Sequence, residues 1–179
     1  MTAQTELVAG TWRIDPTRSE LRFTIRHLKV QTVRGTVNGI TGELVMGNDP
    51  AGSSVIATID LRSVSTGMKM RDSAVRSGKL LDVETHPTAT YRSTGVRPVG
   101  GGFVVDGQLT FLGVTEALPL QVSVDSLPAG PDGPEPCFTA KAELRRADFG
   151  FVLHEGPAFM DRSLGAVIQI DIRLATARS

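Results

Sequence analysis

The chain has 179 residues, which fits one domain whose core is large enough to need no disulfide or metal for its stability. Its 19 basic and 19 acidic residues give a formal net charge of zero, and no block of like charge stands out. This argues against a nucleic acid or an anionic membrane surface as a partner. Cys137 is the only cysteine, which excludes an intrachain disulfide and a cysteine metal cluster.

The sequence shows no targeting or membrane-spanning segment. Its N-terminus lacks a basic region followed by an apolar run, and no window approaches the ~20 continuous apolar residues that a membrane helix needs. We therefore expect a cytoplasmic protein without stable membrane insertion. Residues 11–175 are expected to form a single domain, preceded by an N-terminal extension, 1–10.

Apolar and polar residues alternate along most of the chain, which is typical of antiparallel strands with one buried face. The first clear case is residues 19–27, where Leu21, Phe23 and Ile25 share one parity and His27 continues it. Residues 35–46 predict a broken strand or a hairpin, because Gly39 and Gly42 suit a turn or a bulge. Further strands are predicted in chain order at 53–61, 88–94, 102–111, 118–124, 137–144 and 165–174. About eight strands at regular spacing predict a sandwich or an up-and-down barrel.

Residues 62–86 are the one long section that does not alternate, and they predict a short helix or two bridging distant strands. An eight-stranded barrel can be filled by side chains or can hold one apolar ligand. Several predicted inward positions carry small residues that would leave space: Ala57, Ala89, Ser93, Gly107, Ala140 and Ala142. A long apolar cavity is one interpretation of this pattern, and an ordinarily packed sandwich is the other.

Asp72, Ser73 and His86 are the residue types of a hydrolase triad and lie close together in sequence. A nucleophilic serine, however, needs a base within hydrogen-bond reach and usually sits on a strained, glycine-flanked turn. Ser73 instead lies in the predicted helix beside Arg71, with no glycine next to it. We therefore interpret Arg71 and Asp72 as anchors of a covering segment and Ser73 as incidental.

The remaining polar candidates are a histidine and a charge pair. His27 would face the barrel interior, where it could hydrogen-bond a ligand or serve as an ordinary buried histidine. The three histidines have no metal-ligand spacing, so we expect no metal site. Arg146 and Asp148 could form a head-group site or a structural tie between a strand and a covering segment.

Four segments carry a resemblance that spans residues 11 to 174. They are WRIDPTRSELRFTIRH (12–27), VIATIDLRSVSTGMKMRDSAVRSGKLLDVETHPTATYRST (55–94), VDGQLTFLGVTEALPLQV (105–122) and LRRADFGF (144–151). In this order the segments resemble the YceI-like family, bacterial proteins that bind polyisoprenoids and related lipids. The resemblance implies a lipocalin-like barrel with a helix near one mouth, and it favours a homodimer.

The chain departs from the pattern of that family at three places. Arg18 and Ala74 stand where the family carries histidine, and the family commonly has phenylalanine near Leu80. If those positions touch a ligand head group in relatives, the departures bear on the identity of the ligand here and not on the fold.

The sequence thus predicts an all-β protein, an eight-stranded antiparallel lipocalin-like barrel with a short helix covering one end. We expect it to bind a polyisoprenoid, an isoprenoid quinone or a fatty-acyl ligand for storage, transport or sequestration, with no cofactor and no catalytic residue. The predicted ligand-binding residues are Phe23, Ile25, His27, Ala57, Ile59, Tyr91, Leu109, Phe111, Ala142 and Phe151. Two alternatives stay open: an isomerase or cyclase that acts on an apolar metabolite through His27, and a structural module with a filled barrel.

Overall fold

Alternating apolar residues build the wall of a closed barrel. A computed structural model describes residues 7–27, 30–152 and 164–179 of the chain, and the side chain of residue 27 lies outside that description. The strands are β1 (Gly10–Ile14), β2 (Glu20–His27), β3 (Gln31–Val37), β4 (Ile40–Met46), β5 (Ser54–Asp60), β6 (Thr88–Val99), β7 (Gly102–Phe111), β8 (Val114–Ala117), β9 (Leu120–Ser126), β10 (Ala129–Gly130), β11 (Gly133–Pro134), β12 (Cys137–Arg145) and β13 (Val167–Arg178). One α-helix, α1 (Lys69–Arg76), is present among the described residues.

Eight strands close the ring in the order β1, β4, β5, β6, β7, β9, β12 and β13, and β13 pairs back with β1. All of these pairings are antiparallel. β2 continues the course of β1 along β13, and β3 pairs with β2 before the chain turns into β4. The predicted eight-stranded antiparallel barrel is therefore confirmed.

The register of the central strands places the predicted inward side chains next to one another. Ala57 on β5 is the partner of Tyr91 on β6, and Tyr91 is the partner of Leu109 on β7. All three are buried, and partners across an antiparallel ladder share one face of the sheet. The inner face of this wall is consequently apolar, while the intervening residues Thr90 and Arg92 are exposed.

Glycine permits the break between β3 and β4. Gly39 adopts a left-handed conformation with φ of 71°. Glycine adopts this conformation with little strain because it has no Cβ atom. The segment predicted as a broken strand or hairpin is accordingly two strands that meet at this glycine. The chain turns at Gly39, so that β3 pairs with β2 and β4 pairs with β1.

Residues 61–87 pass across one end of the barrel and contain α1. We call this segment the cover. Its residues Leu61, Val64 and Leu81 are buried. The cover is fastened to β3 by two backbone hydrogen bonds, from Thr36 N to Ser65 O (2.8 Å) and from Ser65 N to Thr36 O (2.9 Å). The expectation of a short helix over one end of the barrel is confirmed, and the helix itself spans only two turns.

Candidate ligand-binding site

An apolar cavity of about 940 Å³ runs through the barrel. This volume lies in the upper part of the range of ~300–1,000 Å³ that is usual for small-molecule sites in proteins. Aliphatic and aromatic side chains from every strand of the ring line it, among them Ile14, Leu44, Val105 and Ile170. A space of this size and lining favours an apolar occupant over a polar one.

The described part of the chain places the mouth of this cavity at the end opposite the cover. The exposed residues of the lining all lie there, on the segment before β1, at the turn between β4 and β5 and near the tip of the β6–β7 hairpin: Val8, Val45, Asn48, Asp49, Ser54 and Pro98. We call this rim the mouth. It also carries polar lining groups on the β4–β5 turn, so this end of the cavity is polar and open to solvent.

At the covered end the lining consists of packed apolar side chains. Leu61, Val75 and Leu81 of the cover line the cavity there. Phe111 also lines it, and its ring meets those of Phe149 and Phe151 edge to face, with centroids 5.8 and 5.5 Å apart. Such aromatic contacts fix the rings in place, which gives the deep part of the cavity a firm apolar floor.

Tyr91 is a polar side chain of the cavity wall away from the mouth, and its hydroxyl group is hydrogen-bonded within the protein. The hydroxyl donates to the backbone carbonyl of Leu118 at 2.8 Å and lies 3.3 Å from that of Val105. Burial, with a contribution from the negative charge of Asp106, raises the pKa of Tyr91 well above its ordinary value. Tyr91 thus presents a neutral aromatic ring to the cavity and has no second proton to donate to a ligand.

Seven of the ten residues predicted to bind ligand line the cavity. These are Phe23, Ala57, Ile59, Tyr91, Leu109, Phe111 and Phe151. Ile25 and Ala142 are not part of the lining: Ile25 is half-buried near the end of β2, and Ala142 is buried within the apolar core. Contact of any of these residues with a ligand stays a prediction.

His27 ends β2, where its backbone pairs with Gln31, and its side chain lies outside the described part of the chain. Its predicted role as the polar partner of a ligand therefore stays a prediction.

The three departures from the family pattern are not in the lining. Arg18 binds Asp15 (2.6 Å) and Glu135 (3.1 Å) on the outer surface. Hydrogen bonds from the side chains of Thr17 and then Arg18 lower the pKa of Asp15 to about 2. Ala74 is exposed on α1, and Leu80 is half-buried beside the core.

Asp72 serves the cover and not a catalytic triad. Its buried carboxylate accepts hydrogen bonds from the backbone N–H (2.7 Å) and the hydroxyl (2.5 Å) of Thr66, with Ser65 Oγ at 3.5 Å. Neither Ser73 nor His86 is among its hydrogen-bond partners in the described structure, and Ser73 is exposed. The hydrogen bonds from Thr66 hold the pKa of Asp72 below its usual value, because they stabilise the carboxylate.

Two arginines complete this tie. Arg71 donates to the hydroxyl (2.7 Å) and the carbonyl (2.9 Å) of Thr66, and Arg76 donates to the carbonyls of Arg62 (3.0 Å) and Val64 (2.5 Å). The helix α1 is thus bound to the preceding loop by three charged side chains. Asp72 and Arg71 share Thr66 as a hydrogen-bond partner, which agrees with their interpretation as anchors of a covering segment.

Arg146 is a buried cation that binds the backbone near the covered end. Its guanidinium donates to the carbonyl oxygens of Gly165 (2.8 Å) and Phe151 (2.7 Å), and 5% of the residue is exposed. Of the two roles considered for it, these bonds favour the structural tie, because they join the turn after β12 to the segment before β13. They also position Phe151 at the cavity.

Trp12 lies behind the cavity lining, and the sequence alone suggested no role for it. It lies on β1 with 1% of its surface exposed and packs against Met46 and Phe138, which both line the cavity. The available signal was its parity: Trp12 and Ile14 alternate with exposed Arg13, so both face inward.

Within the described residues, no group of three or more His, Cys, Asp or Glu side chains could hold a metal ion.

A family model described as the YceI-like domain matches residues 12–176, nearly the whole of this barrel. The chain belongs to the YceI-like family. Curated relatives of this YceI-like chain include the UPF0312 protein of Pseudomonas aeruginosa (strain LESB58), which is 32% identical over 165 residues, 89% of this chain and 85% of the relative. The UPF0312 protein of Serratia proteamaculans is 32% identical over 161 residues, 88% of this chain and 84% of the relative.

Solved structures share the YceI-like barrel. BcnA of Burkholderia cenocepacia superposes with a TM-score of 0.78 at 24% identity, over 92% of this chain and 99% of BcnA. A polyisoprenoid binding domain from Saccharophagus degradans, implicated in plant cell wall breakdown, gives a TM-score of 0.73 at 20% identity, over 96% of this chain and the whole of that one. These likenesses show a common fold. No helix in the described part of the YceI-like chain has the length and apolar character needed to cross a membrane.

Proposed function

We propose that the barrel binds one long-chain apolar or amphiphilic molecule of the polyisoprenoid, isoprenoid quinone or fatty-acyl type. It would store, carry or sequester that molecule without converting it. The observation that carries the proposal is the cavity of about 940 Å³, whose walls are mainly aliphatic and aromatic between the polar β4–β5 turn at the mouth and the cover. The polyisoprenoid-binding domain from Saccharophagus degradans, which has the same fold, supports the choice of ligand class.

Burial of the chain would supply most of the affinity. Each methylene group transferred from water to the cavity contributes about 0.8 kcal/mol, so a long tail binds tightly with few polar contacts. Tyr91 offers the interior no free donor, and Asp72 and Arg146 are engaged by the backbone. This inventory suits binding better than turnover, since Asp49 at the mouth is the one carboxylate in the described lining and it accepts from the backbone N–H of Gly52.

The binding proposal is tested by loading delipidated protein with phytol, an isoprenoid alcohol, and with palmitate. Native mass spectrometry should show one bound molecule per chain, and isothermal titration should give a saturable affinity. Failure of both probes to bind at any concentration below their aggregation limit would remove the support for the proposal.

A variant that fills the cavity should abolish this binding. Ala57 lies in the cavity wall in the middle of β5, so Ala57→Phe adds a phenyl ring to the space that the ligand needs. We expect at least a tenfold loss of phytol affinity by titration, with an unchanged far-ultraviolet circular dichroism spectrum. Ala117→Phe, at an exposed position on β8, is the matched control and should bind as the wild type does. Equal affinities in the two variants would contradict binding inside the barrel.

A further inference from the structure

The described lining of the cavity is polar mainly at one end. Asn48, Asp49 and Ser54 of the β4–β5 turn line the cavity at the mouth, and all three are exposed to solvent. Away from this turn the described lining is apolar except for the Tyr91 hydroxyl, which donates to the Leu118 carbonyl. A polar head that leaves water for apolar surroundings without a hydrogen bond loses free energy. An amphiphile therefore fits this cavity best with its head at the turn and its tail toward the cover.

Asp49 is the only acidic or basic side chain in the described lining. Its Oδ1 accepts from the backbone N–H of Gly52 at 2.9 Å, which holds the carboxylate at the start of the short 3₁₀ helix Pro50–Gly52. Within the described chain, Oδ2 has no hydrogen-bond partner, and the side chains of Asn48 and Ser54 have none either. Three lining side chains at the mouth thus keep hydrogen-bonding capacity for a ligand.

Two arginines on strands that reach the mouth are engaged elsewhere. Arg97 precedes Pro98 on β6 and pairs with Asp106 at 3.0 Å. Arg178 is the register partner of Trp12, and its guanidinium lies over the indole ring, 5.4 Å from the centroid. Neither arginine is part of the lining. An anionic head at the turn would therefore meet a carboxylate first, without a cation of the described lining beside it.

We propose that the β4–β5 turn binds the polar head of the ligand and selects heads that carry no negative charge. This inference rests on the proposed function and narrows its ligand class to long-chain alcohols, amides and quinones. A hydroxyl or amide head can donate to Oδ2 of Asp49, and a carbonyl head can accept from Asn48 or Ser54. A carboxylate or phosphate head is repelled by Asp49. A fatty acid should then bind more weakly than the alcohol of the same chain.

The test compares phytol with phytanate, the carboxylate that has the same branched carbon skeleton and is ionised at about pH 8. Asp49→Asn removes the charge and keeps a side-chain oxygen for the Gly52 N–H, since asparagine caps as well as aspartate does. We expect isothermal titration to give a phytanate affinity about fivefold higher in the variant than in the wild type. The phytol affinity should change by less than about twofold, which also shows that the variant is folded. Added salt should reduce the gain for phytanate, because it screens the repulsion.

Glu84→Gln is the matched control. It removes the same charge from an exposed residue of the cover, at the opposite end of the barrel, and should leave both affinities unchanged. An unchanged phytanate affinity in Asp49→Asn, or an equal gain in both variants, would overturn the selection by Asp49. In either case phytol binding to the wild type would leave the proposed function standing. If phytol does not bind the wild type at all, the proposed function is the one that fails.

Discussion

Tyr91 gives the interior of the barrel a chemical property that can be measured directly. It is the only tyrosine of the chain, and its ring is buried beside Gly107, where any side chain would overlap the phenol. Ionisation would place a phenolate in an apolar wall and near the carboxylate of Asp106. The fold therefore protects the neutral form of this group.

This protection predicts the behaviour of the protein in alkali. The folded pKa of Tyr91 lies above the ordinary value of 10.0, so its contribution to stability is complete below pH 10 and is lost as the pH rises further. We expect no tyrosinate absorbance in the folded protein at pH 10, where a free phenol is half ionised, and a sudden rise on unfolding. Half-ionised Tyr91 at pH 10 in a folded protein would contradict the inward placement of its hydroxyl.

Single positions also show where sequence alone stops. Parity along β5, β6 and β7 was enough to place Ala57, Tyr91 and Leu109 on the inner wall, because alternation reports the buried face. Parity could not show that the space at Gly107 is taken by Tyr91, because that depends on which strands become neighbours. The unpaired nitrogen of Trp12 was equally invisible, since hydrogen-bond satisfaction is a property of the folded surroundings.

The cover is held by side-chain hydrogen bonds that could not be predicted from its sequence. Loss of alternation located the helix, but the bonds of Asp72 and Arg71 to Thr66 depend on how the preceding loop returns to α1. β8 was missed for a related reason: only Val114 of its four residues is even half-buried, so there is no apolar alternation to detect. Short elements on the surface are defined by tertiary pairing more than by their own residues.

Asp72→Ala should therefore loosen the cover. We expect a loss of about 1–3 kcal/mol in the free energy of unfolding at neutral pH, because the half-buried donors of Thr66 lose the buried carboxylate that accepts from them. The folded pKa of Asp72 is lowered, so its contribution is present above the ordinary value of 3.8 and is lost as the pH falls through the folded value. Urea unfolding at pH 7 and at pH 3 should show the difference from wild type shrinking in acid.

Ser73→Ala is the control for that experiment. Ser73 is the neighbour of Asp72 on α1 but is exposed, so its removal should change the stability by no more than about 0.5 kcal/mol. Equal effects of the two substitutions would show that the bonds to Thr66 do not hold the cover in place.

The barrel as a whole should gain stability from its ligand. A molecule that binds only the folded state at a free concentration of one hundred times its Kd adds about 2.7 kcal/mol to the free energy of unfolding. We expect phytol to shift the urea midpoint of the wild type in this way and to leave that of Ala57→Phe nearly unchanged. Equal shifts in both proteins would mean that phytol stabilises the chain from outside the cavity.

The ring closes where β1 pairs with β13, and this seam affects how the protein folds during synthesis. β1 completes the barrel by pairing with β13, and beside this seam the hydroxyl of Ser19 bonds to the backbone of Ala175, 156 positions away along the chain. Contacts between such distant positions form slowly, because a long loop must close before they yield any free energy. During synthesis the ribosome releases β1 and its neighbour β4 long before β13, so the second neighbour of β1 is absent for most of translation. The wall around the cavity is therefore complete only once this seam has formed.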